Sequence, residues 1–110
     1  MLGEGERIVK KILLVCGAGM STSLLAAKIE EAAKKRGLEI EVSATAGGDL
    51  SREAENIDIL LLGPQLSFKK EEYLEKYGNR FPVEVIHPDD YGMMNGEKVL
   101  DFALKIIDGK

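Results

Sequence analysis

The chain's single cysteine, Cys16, heads the run Cys16-Gly17-Ala18-Gly19-Met20-Ser21-Thr22-Ser23, between the apolar stretch Lys11 to Val15 and the amphipathic stretch Leu24 to Arg36. A thiolate is a nucleophile, and glycines followed by hydroxyl residues between a strand and a helix gather backbone N–H groups around one small volume. That volume suits a dianion, and the helix N-terminus favours a thiolate over a thiol. The chemistry this supports is acceptance and onward transfer of a phosphoryl group by Cys16. Gly17, Ala18, Gly19, Met20, Ser21, Thr22 and Ser23 would form the phosphoryl-binding loop. Taken without its neighbours, a free cysteine is more simply a small apolar filler, and the glycines equally suit a tight turn that needs positive φ.

Other anion-binding loops fit less well. A nucleotide P-loop needs a lysine after its second glycine, and this loop contains none. Gly17 and Gly19 begin a dinucleotide fingerprint, but Thr22 occupies the third glycine position. The sharpest competitor is a cysteine phosphatase loop, in which the sixth residue after the cysteine is an arginine. Here that residue is Thr22. A guanidinium fork would clamp the phosphoryl oxygens and stabilise charge as water attacks. A loop without it can hold a phosphoryl group on sulfur while hydrolysing it slowly, which suits a carrier.

These residues need elements to hold them. Lys10 to Val15 is expected as a strand buried on both faces, followed by a helix with Leu25, Ile29 and Ala32 inward, Leu24 and Ala33 beside them, and Lys28, Glu31, Lys34 and Lys35 toward water. Gly37 ends that helix. Leu38 to Ala44 alternates with period two and reads as an edge strand, then Thr45 to Asp49 as a turn. Leu50 to Asn56 reads as a short helix capped by Ser51 or Asp49. Ile57 to Leu62 is a central strand stopped by Gly63-Pro64. Leu66 to Tyr77 is a helix burying Leu66, Tyr73, Leu74 and Tyr77 and ending at Gly78. Pro82 to Ile86 is a fourth strand, and His87 to Gly92 a loop. Asn95 caps a last helix whose Val99, Phe102, Ala103, Ile106 and Ile107 face inward. The expected fold is an α/β three-layer sandwich with a four-stranded parallel sheet in the order 2-1-3-4. The cysteine loop then emerges at the switch point between strands 1 and 3.

His87, the only histidine, falls at the carboxyl end of strand 4 with Asp89, Asp90 and Tyr91. An aspartate there could act as a general acid, but a solvated loop accounts for all four. One histidine leaves no conventional zinc site, and no cofactor is expected. Met93 and Met94 read as packing.

Residues 1–8 read as a flexible leader and 9–110 as one domain, in keeping with a length of 110 residues. A hydrophobic share of 45% beside 31% charged residues is that of a globular protein. The net charge of -4, with both signs interspersed, offers no face to nucleic acid. No apolar run approaches membrane-spanning length, so direct membrane insertion is not expected. The lone cysteine and the absence of a signal-peptide pattern point to the cytoplasm.

Three segments carry a family resemblance: Ile12 to Leu25, Leu61-Leu62-Gly63-Pro64-Gln65, and Asp90-Tyr91-Gly92-Met93-Met94-Asn95-Gly96-Glu97-Lys98-Val99-Leu100. The chain resembles the lactose/cellobiose class of enzyme IIB of the bacterial sugar phosphotransferase system over about residues 10 to 108. Members often carry Ala where Gly17 stands. The resemblance implies that Cys16 takes a phosphoryl group from a histidine of enzyme IIA and delivers it to a disaccharide bound by the membrane enzyme IIC. It also implies the sheet order 2-1-3-4. Helix 1, Gln65, Asp89, Asp90 and Tyr91 are expected on the rim that meets these partners. The alternatives are a small cysteine-dependent phosphatase and a non-catalytic anion-binding module.

Overall fold

The computed structural model describes residues 10–17, 19–46, 50 and 52–109, with the backbone alone at 19–22. The expected leader at residues 1–8, Ala18, the glycines of the turn at 47–49 and the capping candidates Asp49 and Ser51 lie outside the described residues.

Four strands, β1 (Lys10–Val15), β2 (Ile40–Thr45), β3 (Ile59–Leu62) and β4 (Val83–Val85), form one parallel sheet in the order β2-β1-β3-β4, as the apolar patterns require. The residues of β1 from Ile12 onward and all of β3 are buried, because helices or turns cover both faces of the two central strands. Strand period two sorts their side chains. Ile12, Leu14, Ile59 and Leu61 join α1 (Gly19–Lys35) and α4 (Gly96–Asp108) in one core. Leu13, Val15, Leu60 and Leu62 join Tyr73 and Tyr77 of α2 (Lys70–Tyr77) in the other. Cys16 continues the first set, so its side chain faces the α1 and α4 layer.

Layer one is held by a close helix crossing. A Cβ on Gly96 would stand 2.5 Å from the backbone carbonyl of Lys28, so glycine lets α4 approach α1. Asn95 Oδ1 accepts from Lys98 N at 3.1 Å and caps α4 as expected. Gly37, with φ of +71°, ends the first helix in the left-handed conformation. Next to it, Arg36 bridges the two helices through Glu97 Oε1 at 2.6 Å and Asp101 Oδ1 at 2.7 Å. These carboxylates, Glu97 first, hold the guanidinium above its ordinary value.

Several local expectations are corrected. Leu50 to Asn56 is not a helix. Residues 52–56 are turns, with Ala54 N donating to Leu50 O at 2.8 Å and Asn56 at a φ of 63°. One such turn suffices to bury Leu50 and Ala54 over the β2-to-β3 crossover, and a left-handed Asn56 stops it there. The stretch Leu66 to Tyr77 is two elements: Pro64 starts a 3-10 segment, Pro64–Lys69, that breaks from helical geometry at Leu66, and α2 follows it. Leu66 is accordingly only half-buried, and Leu74 is exposed because Tyr73 and Tyr77 take the inward stripe. Leu24 is also exposed, about 100° around α1 from the inward Leu25. Residues Pro88–Gly92 form a short helix, α3, where a loop is expected. Phe102, Ile106 and Ile107 are half-buried against the core rather than enclosed in it.

Candidate functional site

The site lies where β1 and β3 end side by side, the point at which the chain departs to opposite edges of the sheet. Cys16 follows β1 by one residue, and its N–H donates to Thr45 O at 3.2 Å, extending the β1–β2 ladder. On the other flank Gly63 N donates to Val15 O at 2.9 Å, extending the β1–β3 ladder past Leu62. These two bonds set Cys16 beside Gly63. The thiol is free and fully buried.

Gly63 was not singled out by residue type, yet it shapes the site. Its φ of -63° and ψ of 153° are open to any residue, so backbone freedom is not the reason for glycine. Room is the reason: a Cβ there would lie 2.8 Å from Cys16 Sγ and 2.8 Å from Gln65 Oε1. The sulfur and the Gln65 carboxamide therefore converge on one hollow above Gly63. The signal available in the sequence was a glycine ending the most apolar strand. What the sequence does not display is the register of β3 against β1, which brings Gly63 to Cys16.

Gly17 behaves differently. It is exposed, its φ lies outside the left-handed range, and a Cβ would meet nothing within 4 Å. The alternative reading of the glycines, a turn that needs positive φ, does not hold at Gly17. Gly19, Met20, Ser21 and Thr22 supply the first turn of α1 by their backbone, while Ser23 is exposed. No acidic residue occupies that turn, and Lys34 and Lys35 stand in the last. The first N–H groups of α1 therefore have no side-chain carboxylate from their own turn competing for them, and the helix dipole favours an anion there.

The residues of the β4 loop divide. His87 is exposed, and its Nδ1 accepts from Asp89 N at 3.1 Å, which employs it as the cap of α3. Asp89 is exposed and Asp90 half-buried, both on the outer side of this short helix. Tyr91, expected on the rim, is instead buried with Cys16, Leu25 and Leu100 in the α1 and α4 core. A five-residue helix has one inward position, and Tyr91 takes it. Among the described residues no group of three or more His, Cys, Asp or Glu side chains could hold a metal, and no helix is long and apolar enough to cross a membrane.

This geometry can be set beside known proteins. Residues 11–102 match the family described as the lactose/cellobiose specific IIB subunit of the PTS system. The galactose-specific EIIB component of Lactococcus lactis subsp. cremoris is 43% identical over 100 residues, covering 86% of this chain and 93% of that protein. The oligo-beta-mannoside-specific EIIB component of Bacillus subtilis is 42% identical over 101 residues, covering 90% of this chain and 97% of that protein. The solution structure of the cellobiose-specific phosphotransferase IIB component from Borrelia burgdorferi superposes with a TM-score of 0.77 at 42% identity, over 98% of this chain and 97% of that one. With its cysteine loop at the switch point of a 2-1-3-4 parallel sheet, the chain belongs to the lactose/cellobiose-specific IIB subunits of the sugar phosphotransferase system, and is a phosphotransferase component.

Proposed function

We propose that Cys16 carries the phosphoryl group in this system, receiving it from a phosphohistidine of enzyme IIA and passing it to a disaccharide bound by the membrane enzyme IIC. In the first transfer a thiolate lone pair forms the S–P bond as the P–N bond to the donor imidazole breaks, and the imidazole keeps that electron pair. In the second, a sugar hydroxyl oxygen attacks phosphorus, its proton passes to water, and the S–P bond breaks to return the thiolate. The loop from Gly17 to Ser23 binds the group through backbone N–H donors. Both partners meet the protein at the cytoplasmic face, on a rim that includes Gln65, Asp89 and Asp90.

The observation that carries this reading is the placement of the only cysteine beside Gly63, at the strand end that leads into an N-terminal helix turn free of acidic residues. Three large apolar side chains add to it. Leu24 is 51% exposed, Phe68 76% and Met93 78%. Each lies in a segment leaving the carboxyl end of a strand, so a partner seated over the loop would cover them. Similar relatives are named for galactose and for oligo-beta-mannoside, so likeness at this level is compatible with different sugars. The sugar is then chosen by IIC.

The test uses a histidine-phosphorylated enzyme IIA of this class as donor. One phosphoryl group should enter each chain, and none should enter Cys16→Ser; label persisting in Cys16→Ser contradicts the reading. With p-nitrophenyl phosphate, a burst or no reaction is expected, and sustained turnover would favour a phosphatase.

A further inference from the structure

We propose that the Gln65 carboxamide is the side-chain hydrogen-bond donor to the phosphoryl group on Cys16. This rests on the reading of Cys16 as the phosphoryl carrier and gives Gln65 a role beyond contact with partners. Gln65 and the sulfur are neighbours across Gly63, since Gln65 Oε1 and Cys16 Sγ each lie 2.8 Å from the point a Gly63 Cβ would fill. Gln65 is an exposed residue at the same end of the sheet, in the 3-10 segment that Pro64 starts. Its carboxamide oxygen thus stands at Gly63 together with the buried thiol, both closer than a Cβ there would allow.

The chemistry of an amide suits both states of the sulfur. With a neutral thiol, Oε1 is the group that can accept from S–H when the two turn toward each other. A half-turn about the last side-chain bond puts the NH2 group in the same position. Once the S–P bond has formed, the adjacent group is an anion with oxygen acceptors, and an N–H donor there makes a charge-assisted bond. A phosphatase loop would meet those oxygens with an arginine, where this sequence has Thr22. A neutral donor from the segment that follows β3 holds the group without the guanidinium that stabilises charge during attack by water. Oxygens are held, and the S–P bond is left for the sugar.

A hydrogen bond to the phosphorylated form alters the equilibrium constant for transfer between the free proteins. A contact made only with the donor protein alters the rate and cancels from that constant. The experiment therefore measures both for the parent chain, Gln65→Ala and Gln65→Glu, using a histidine-phosphorylated enzyme IIA and quantifying both phosphorylated proteins at equilibrium. Gln65 is exposed, so the variants should fold, which far-ultraviolet circular dichroism checks. The expected result is a fall in the equilibrium constant of about tenfold in Gln65→Ala, the scale of losing one charge-assisted hydrogen bond, and a larger fall in Gln65→Glu, where a carboxylate faces the phosphoryl group. Equilibrium constants within about twofold of the parent in both variants would overturn the proposal, whether or not the rates changed. Cys16→Ser in the same assay separates the two claims. Label on that variant defeats the carrier reading itself, whereas an unlabelled Cys16→Ser beside unaffected Gln65 variants defeats only the role of Gln65.

Discussion

At the sulfur the decisive feature is a missing side chain. Gly63→Ala would put a methyl group 2.8 Å from both Cys16 Sγ and Gln65 Oε1, so one of them must move. We expect the variant to fold with a loss of about 1–3 kcal/mol, typical of overpacking, while phosphoryl transfer falls by more than about tenfold, the factor given by ~1.4 kcal/mol of barrier. Transfer at the parent rate would contradict the account of the hollow. Gly17→Ala is the natural contrast, because a Cβ at Gly17 meets nothing and the backbone there is not left-handed. Its unfolding midpoint should be unchanged or raised, by at most about 1 kcal/mol, since alanine restricts the unfolded chain. A large destabilisation would show that the loop needs glycine for its conformation. These two glycines look alike in the sequence. They differ because one lies against a neighbouring strand end and the other faces open space.

At the level of elements, the α1 and α4 pair forms the layer against which Cys16 is packed. Gly96→Ala drives a methyl group to 2.5 Å from the Lys28 carbonyl and must push the helices apart. The expected cost is about 1–3 kcal/mol in denaturant unfolding. Asn95→Ala, which removes the cap on Lys98 N, should cost about 1 kcal/mol. Equal stability of parent and Gly96→Ala would contradict the close crossing. Elements with a strong period were legible from residues alone: the two central strands, the half-covered β2, α1 and α4, and with them the strand order. Short elements were not. Leu50 and Ala54 are four apart, which fits one turn as well as a helix, and α3 is too short to show a period at all. In Leu66 to Tyr77, Pro64 imposed a 3-10 start whose geometry shifts the phase, so Leu74 fell outward. Cys16 stands out in the sequence as a candidate position because the loop that follows it is contiguous. Gln65 is expected on the rim, but its approach to the sulfur, and that of Gly63, is not legible, because only the β1–β3 register brings them there.

For the whole molecule, the segments leaving the carboxyl ends of the strands bear the exposed Leu24, Phe68 and Met93, together with the cysteine loop and the β4 loop. The proposed carrier role requires partners to engage and release there, and exposed apolar side chains that contribute little to the fold suit transient contact. Phe68→Asp and Met93→Asp should leave stability within about 0.5 kcal/mol of the parent. They should raise the enzyme IIA concentration needed for half-maximal transfer by about tenfold, as loss of ~1.4 kcal/mol of contact would do. Unchanged concentration dependence in both variants would remove these residues from the docking surface. The proposed function turns on which atom bears the phosphoryl group. The most direct measurement is phosphorus NMR of the protein after reaction with a histidine-phosphorylated enzyme IIA, combined with mass-spectrometric mapping of the modified peptide. The account predicts one sulfur-linked phosphorus signal, mapped to Cys16 and missing from Cys16→Ser; a phosphoryl group found on His87, Ser21, Thr22 or Ser23 in the parent protein, with Cys16 unmodified, would contradict it.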